Sequence, residues 1–267
     1  MPTYLAALGA LGALGALGVV ALALPGGRAA PVTAKYRVEQ SLTQEVDGTA
    51  SGAGKQVLRF TTTTFVTVTL NDSAGGRTMR VVIDSMKGDS ATPIPAAVMD
   101  SARGGEFRAF LDRSGKPSPL TPTGTSSAAA QVQGLLTDFF PWVRAGFKVG
   151  EAWADTSVNT TGAGSDTVTV RRVTNYTAGA SEPRDATKAV KITADHTSKV
   201  AGNQPTPRGP AKIEGTGSGT GTYFVSPDGR YLGGEWQLRS ALQLSGSFSK
   251  EPLPITVTQT TKVTAVR

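Results

Sequence analysis

The sequence predicts a mainly β protein, a single strongly curved antiparallel sheet (half-barrel) around one or two short helices. Three observations support this prediction. Apolar and polar residues alternate with a period of two over most of the chain beyond residue 34, as in strands with one buried face. Turn-forming residues separate these segments by short reversals, which an antiparallel sheet allows. Alternating glycines within residues 215–221 indicate a sharp bend in one strand.

The N-terminal half predicts a first strand followed by a hairpin. Apolar side chains alternate with polar and charged ones along residues 35–46, which favours a half-buried strand. Residues 58–70 and 79–83 alternate in the same way, and the turn Asn71–Gly76 between them favours a hairpin.

The C-terminal half continues the pattern, so that about ten strands are predicted in all. Further strands are predicted at residues 166–177, 187–195, 211–225, 232–248 and 255–265. The stretch Ala201–Pro210, rich in Gly and Pro, predicts a surface loop.

Two segments depart from the period of two and predict helices. Pro93–Arg103 is followed by two glycines, which favours a short helix with a glycine stop. Ser126–Phe140 carries apolar residues at helical spacing and precedes Pro141, which cannot continue a helix. No shift in composition divides residues 35–267, so we expect a single antiparallel β-domain with helices near 93–103 and 126–140.

Residues 1–34 are predicted to be a signal peptide or an N-terminal membrane anchor. Leu5–Leu24 is an uncharged apolar run, long enough to cross a bilayer as a helix. Small residues before the Ala34–Lys35 bond suit signal cleavage there, and Ala21–Ala23 offers a second site. Both alternatives predict an exported protein, in the periplasm or at the cell surface, whose N-terminal segment engages the membrane during export.

Composition restricts the possible chemistry. The absence of Cys and the single His exclude disulfides, thiolate nucleophiles and sites built from several imidazoles. His196 is predicted to lie in a surface loop, and the acidic residues are scattered, so we expect no catalytic site, metal or cofactor. The net charge is +7, but the basic residues are dispersed, which disfavours a nucleic-acid partner and favours anionic envelope surfaces.

The alternating glycines Gly215, Gly217, Gly219 and Gly221, which we call the glycine row, have two interpretations. Its flanking apolar residues mark the glycine face as inward. The structural interpretation is a sharply coiled strand with the helical segment near residues 132–140 lying against the bare patch. The functional interpretation is that the missing side chains leave a ligand cavity, which makes Gly217 and Gly219 candidate ligand-binding residues.

Aromatic residues are concentrated directly after the second predicted helix. The aromatic side chains of such a segment either line an apolar pocket or fill the open end of the β-core. The candidate ligand-binding residues are Phe139, Phe140, Trp142 and Trp153, together with Trp236 on the strand at 232–248.

Two short motifs carry a family resemblance. Pro141 is followed by a hydrophobic stretch and by Val149-Gly150-x-x-Trp153, and Gly219-Thr220-Gly221 precedes Phe224 and Gly229. In these features the chain resembles an uncharacterised family of bacterial envelope proteins with a signal peptide, many strands and one or two mid-chain helices. In outline it also resembles the lipoprotein-carrier half-barrel, which implies an apolar interior. The chain lacks a lipidation cysteine, so the resemblance implies no lipid anchor.

These observations lead to two functional expectations. The first is an exported non-catalytic envelope protein that binds a lipophilic ligand or an acyl chain inside its curved sheet. The alternative is a structural or protein-interaction domain of the cell envelope whose core is filled by its own side chains.

Overall fold

The computed structural model describes residues 31–49, 52–124, 127–136, 139–144, 146–163, 165–184, 187–206, 209–227, 229–247, 249 and 251–266. Of the predicted export segment at residues 1–34, residues 1–30 lie outside the described residues. The elements are β1 (Val32–Gly48), β2 (Gly54–Ser73), β3 (Gly76–Gly88), α1 (Ala96–Ser101), β4 (Glu106–Asp112), β5 (Thr121–Thr123), α2 (Ser127–Leu136), β6 (Ala152–Ala163), β7 (Asp166–Arg184), β8 (Thr187–Thr206), β9 (Gly209–Val225), β10 (Tyr231–Gly246) and β11 (Leu253–Val266).

These strands form one antiparallel sheet, which confirms the predicted fold class. The order is β5-β4-β3-β2-β1-β11-β10-β9-β8-β7-β6, and the sheet is not closed into a barrel. Each half is a series of strands that pair with their neighbours in sequence. The two halves join in the middle of the sheet, where β1 pairs with β11.

The sheet curves until its two edges approach each other. Lys116 lies beside β4, near one edge, and Asp155 lies on β6, the opposite edge strand. The Lys116 Nζ and Asp155 Oδ1 atoms are 2.6 Å apart. The strands therefore wrap around a shared interior, as a half-barrel does.

Both helices cover the interior near β1–β4, and both are shorter than predicted. α1 contacts β3, and α2 packs against α1 and β5. α2 ends at Leu136, so the predicted helix to Phe140 is wrong at its C-terminal end. The Phe139–Phe140 pair follows outside the helix and packs directly into the core.

The predicted loop at Ala201–Pro210 is also wrong, because β8 runs to Thr206 and β9 starts at Gly209. The β9 register continues through Pro205↔Pro210. The pairing of β8 with β7 ends at Gly202. Pro205 therefore sits where β8 has a neighbour on one side only, and this is where a sheet tolerates proline.

The interior contains two apolar clusters. The first, which we call the aromatic cluster, combines residues of both helices, the Phe139–Val143 segment and the inner faces of β1–β4 and β7–β10. The second lies toward the other end of the strands and contains mainly Val, Ile and Leu. Between them the inward-facing residues are largely polar.

Candidate functional site

Phe139 and Phe140 are core residues of the aromatic cluster. Their side chains are fully buried or nearly so. The Phe140 ring centroid lies 5.2 Å from that of Tyr36 and 5.0 Å from that of Tyr231. The Tyr36 hydroxyl donates a hydrogen bond to the Tyr231 carbonyl oxygen at 3.0 Å. Burial raises the pKa of Tyr36, so this hydroxyl keeps its proton.

Trp153 and Trp236 belong to a row of aromatic rings that crosses the sheet from β6 to β10. Trp153 stacks on Tyr176 with the ring centroids 5.4 Å apart. Tyr176 is followed by Tyr223 at 6.4 Å, and Tyr223 by Trp236 at 5.5 Å. Both tryptophans are buried. The row therefore fills the interior next to the glycine row, where Trp236 is the cross-strand neighbour of Gly221.

Trp142 differs from the other candidates because it is half-buried and lies near the two sheet edges. Its Nε1 donates to the Ser114 carbonyl oxygen over a long 3.5 Å contact. The Lys116 Nζ sits 5.4 Å from the Trp142 ring centroid and also pairs with Asp155. We call Trp142, Lys116 and Asp155 the edge cluster.

The glycine row allows a close approach of neighbouring strands. A Cβ atom at Gly219 would lie 2.1 Å from the Gln237 carbonyl oxygen of β10, and one at Gly215 would lie 2.2 Å from that of Ala241. At Gly217 the nearest atoms are instead the hydroxyl oxygens of Ser198 and Ser240. The nearest atoms thus belong to neighbouring strands, and the expected contact between this patch and the 132–140 segment is not found among them.

Gly217 forms part of the lining of a small cavity between the two clusters. Its volume is about 30 Å³, enough for one or two water molecules. Sites for drug-sized ligands span about 300 Å³ or more, so an acyl chain does not fit in this conformation. The lining residues are Val170, Arg172, His196, Ser198, Val200, Gly217, Ser218, Leu238, Ser240, Leu242, Val257 and Gln259.

His196 lines this cavity, so its predicted position in a surface loop is wrong. It lies in the middle of β8 and is 7% exposed. Gly219 is its cross-strand neighbour on β9, and the absence of a side chain there leaves room for the imidazole. The alternation places His196 on the inner face, although Asp195 and Thr197 give the segment a polar appearance.

The environment of His196 keeps its ring neutral. Nδ1 lies 2.9 Å from the Thr174 hydroxyl oxygen, and Nε2 lies 3.3 Å from that of Tyr223. Burial, and then the charge of Arg172, lower the pKa of His196 from 6.5 to about 3. The single histidine of the chain is therefore a neutral hydrogen-bonding group at pH 7.

Polar side chains surround the cavity in what we call the polar layer. The side chain of Arg172 is buried to more than nine-tenths, as are those of Gln40, Gln44 and Gln259. Both amide atoms of Gln40 and the Nε2 atom of Gln44 have no hydrogen-bond partner among the described residues. Buried polar groups are nearly always paired, so such atoms need an explanation.

The structure thus divides the predicted site into two parts. Gly217 and Gly219 lie beside the cavity and the polar layer. Phe139, Phe140, Trp153 and Trp236 belong to the aromatic cluster, and Trp142 is partly buried against it. Arg172 and Gln259 were not predicted as site residues, although the alternation along β7 and β11 places both on the inner face.

A wider depression of about 550 Å³ lies beside β1–β3 and two residues shortly after α1, Arg103 and Gly104, and is largely open to solvent. Its lining combines the apolar Phe65 and Val266 with the charged Lys35, Asp84 and Arg103. Phe65 and Val266 are 37% and 40% exposed, which is high for side chains of this size and type. It contains none of the predicted ligand-binding residues.

Comparisons with known proteins leave the family question open. No family model, no curated protein and no solved structure matches this chain. The resemblance to bacterial envelope proteins therefore stays a prediction. Within the described ranges, no group of three acidic or histidine side chains is placed to hold a metal ion. The same residues include no helix long and apolar enough to span a bilayer.

Proposed function

We propose that this chain is an exported, non-catalytic envelope protein that holds a lipophilic ligand or an acyl chain inside its curved sheet. The observation that carries the proposal is the incomplete interior between the two apolar clusters. There glycines on the inner face of β9 adjoin a cavity, and buried amide atoms of Gln40 and Gln44 have no hydrogen-bond partner among the described residues. Protein cores pair nearly all their buried polar atoms, so the unpaired amides beside the cavity support a site that a further group completes.

Binding of an acyl chain requires the aromatic cluster to rearrange. The glycine row, spaced over residues 215–221, extends about 20 Å along the strand at roughly 3.3 Å per residue. It leads from the cavity toward Trp236, the cross-strand neighbour of Gly221, and the neighbouring ring of Tyr223. Uncovering Phe139 and Phe140 costs about 3–6 kcal/mol, whereas burying about 14 methylene groups returns about 11 kcal/mol. The burial terms alone favour the exchange, before the cost of association and of ordering the ligand is subtracted.

A structural or protein-interaction domain is the second candidate. Two observations favour it: the aromatic cluster is filled by its own side chains, and the depression around Phe65 exposes apolar surface. In that case the interior serves stability, and the outer face of β1–β3 contacts a partner protein.

Uptake of a fluorescent long-chain fatty acid by the full chain tests the first candidate against the second. We expect saturable uptake, weakened about tenfold by Trp142→Ala with little change in the circular dichroism spectrum, because Trp142 is only half-buried. Trp142→Phe is the matched control, since it keeps a ring over Lys116. Absence of uptake by the natural chain, or collapse of the fold in Trp142→Ala, would lead us to abandon the ligand-binding proposal.

Cell fractionation tests the proposed export. We expect the protein in the periplasm or at the cell surface, with the N-terminal segment either cleaved or retained as an anchor. Recovery of the full chain in the cytosol would contradict both versions.

A further inference from the structure

The two edges of the sheet differ in how well they are protected against pairing with another chain. β5 forms one edge, has three residues and contains Pro122, which cannot donate a backbone hydrogen bond to a further strand. β6 forms the other edge and has twelve residues. Proline, lysine, bulges and short length are the usual protection of an edge strand. β6 contains no proline or lysine, and its register with β7 runs from Ala152 to Ala163 without a shift.

Most of β6 is also uncovered. Near its start, Asp155 pairs with Lys116 from the opposite edge of the sheet. From Thr156 to Gly162 every residue is exposed or half-buried. Within the described ranges, the backbone of this stretch pairs with β7 alone. An edge strand directs alternate N–H and C=O groups away from its sheet, so residues 156–162 offer a free row of such groups about 23 Å long.

The side chains of this row suit pairing with a second copy of the same strand. Residues 156–163 carry no charge, so two copies can pair there without like charges opposite each other. Val158 lies in the middle of the row on the outer face and is 63% exposed. In an antiparallel pair centred on Val158, this side chain contacts its own copy, and Thr156 faces the Thr160 of the second copy. Valine and threonine are residues that favour such cross-strand contacts.

We propose that this chain forms a symmetric dimer in which two copies of β6 pair antiparallel about Val158. The pairing extends over residues 156–160 of both copies and joins two sheets edge to edge. Each copy uses the same surface, as a contact with two-fold symmetry requires. One pair of edge strands buries little surface compared with the roughly 1,200–2,000 Å² of stable interfaces, so the dimer should dissociate on dilution. It does not depend on the proposed ligand and leaves the interior unchanged.

The positive charge of the chain, +7 in all, opposes self-association. Arg171 on β7 is the exposed cross-strand neighbour of Val158. In the dimer the two Arg171 side chains are separated by three strand spacings, about 14 Å, which exceeds the Debye length of about 8 Å at physiological ionic strength. Raising the salt concentration from about 20 mM to about 150 mM should therefore strengthen the dimer. A dimer that weakens over this range would be held by ion pairs and would contradict the proposal.

Sedimentation velocity of the natural chain from about 5 μM to about 500 μM tests the dimer, and we expect a reversible monomer–dimer equilibrium. Val158→Lys places two lysines opposite each other and should raise the dissociation constant at least about tenfold. Val57→Lys is the matched control, because Val57 is an exposed valine on β2, far from β6 in the sheet order. It should keep the dissociation constant of the natural chain. Residues 1–34 are the same in all three proteins, so their contribution to self-association cancels in the comparison.

Two results would overturn the proposal. A natural chain that stays monomeric over the whole concentration range would exclude the second copy and leave the edge for a strand of another protein. Equal effects of Val158→Lys and Val57→Lys on the dissociation constant would place the dimer contact outside β6.

Disulfide cross-linking tests the register, because the chain contains no cysteine and a single introduced thiol reports on its own copy. Opposite residues of an antiparallel pair have Cα atoms about 4.5–5.5 Å apart, which a disulfide can span. Val158→Cys should therefore form a disulfide-linked dimer under mild oxidation. Thr160→Cys is the matched control, because its copy would lie about 14 Å away, beyond disulfide reach. A yield from Thr160→Cys equal to or above that from Val158→Cys would overturn the pairing about Val158.

Discussion

Acidification should destabilise this protein through one side chain. In the folded chain His196 is buried among Thr174, Tyr223 and Arg172, and its pKa is lowered from 6.5 to about 3. Between these two values the unfolded chain binds a proton and the folded chain does not. Protonation therefore favours the unfolded state, and the contribution is fully present above pH 6.5 and is lost as the pH falls.

The size of the effect follows from the two pKa values. Between pH 7 and pH 5 the free energy of unfolding should fall by about 2 kcal/mol, an average of about 1 kcal/mol per pH unit, and the slope approaches its limit of about 1.4 kcal/mol per pH unit only near pH 5. For a domain of this length, about 2 kcal/mol lowers the Tm by about 4–8 °C. Folding lowers the pKa of carboxyl groups such as those of Asp89 and Asp112. Their protonation therefore begins to destabilise the fold only near pH 4 and below.

Denaturant unfolding at pH 7, 6 and 5 measures this slope, and His196→Gln provides the comparison. Glutamine offers both a donor and an acceptor but does not titrate, so the variant should lose the dependence between pH 7 and pH 5. Since the chain contains a single histidine, its imidazole proton resonances also report the pKa directly by NMR. A natural chain of constant stability from pH 7 to pH 5, or the same slope in His196→Gln, would refute this account of the buried imidazole.

Three further expectations concern the edge cluster, the glycine row and the N-terminus. Lys116→Met should destabilise the fold by about 1–3 kcal/mol, and more than Asp155→Asn, because it leaves a buried carboxylate unpaired; the reverse order in urea unfolding would contradict this. Gly219→Ala should lower the Tm strongly because its Cβ meets backbone, whereas Gly217→Ala should be tolerated because serine hydroxyls can rotate away; equal Tm values would refute the close-approach argument. If the export segment is cleaved, mass spectrometry should find a start at Leu24, because cleavage before residue 35 would remove three residues of β1 that pair with β2.

Sequence alternation predicted the strands best where their inner faces are apolar. The C-terminal strand at 255–265 and the hairpin at 58–83 were assigned correctly because Val, Ile, Leu and Phe alternate with Thr and charged residues. In β7 and β8 the inner face carries Arg172, His196 and Ser198 instead. A polar inner face weakens the period-two signal, and the predicted strands in this region are therefore too short.

The candidate site was predictable only in part, for a similar reason. The glycine row identified the right strand and face, since Gly217 lines the cavity. Arg172 and Gln259 lie far from it in sequence and meet it through the register of five neighbouring strands. The aromatic residues are close in sequence to one another, but packing places Phe139 and Phe140 in the core and Trp142 near the sheet edges.

The pairing of β1 with β11 has a consequence for the way the chain reaches its native state. Residues 35–46 pair with residues 255–266, so the first and last strands meet at the centre of the sheet. During synthesis, β1 has no partner on its β11 side until β11 has left the ribosome. Until then each half presents a long unpaired edge, a template for aggregation. The sheet is complete only after residues 253–266 have been synthesised, so a chain of this topology gains from chaperone protection until those residues pair with β1.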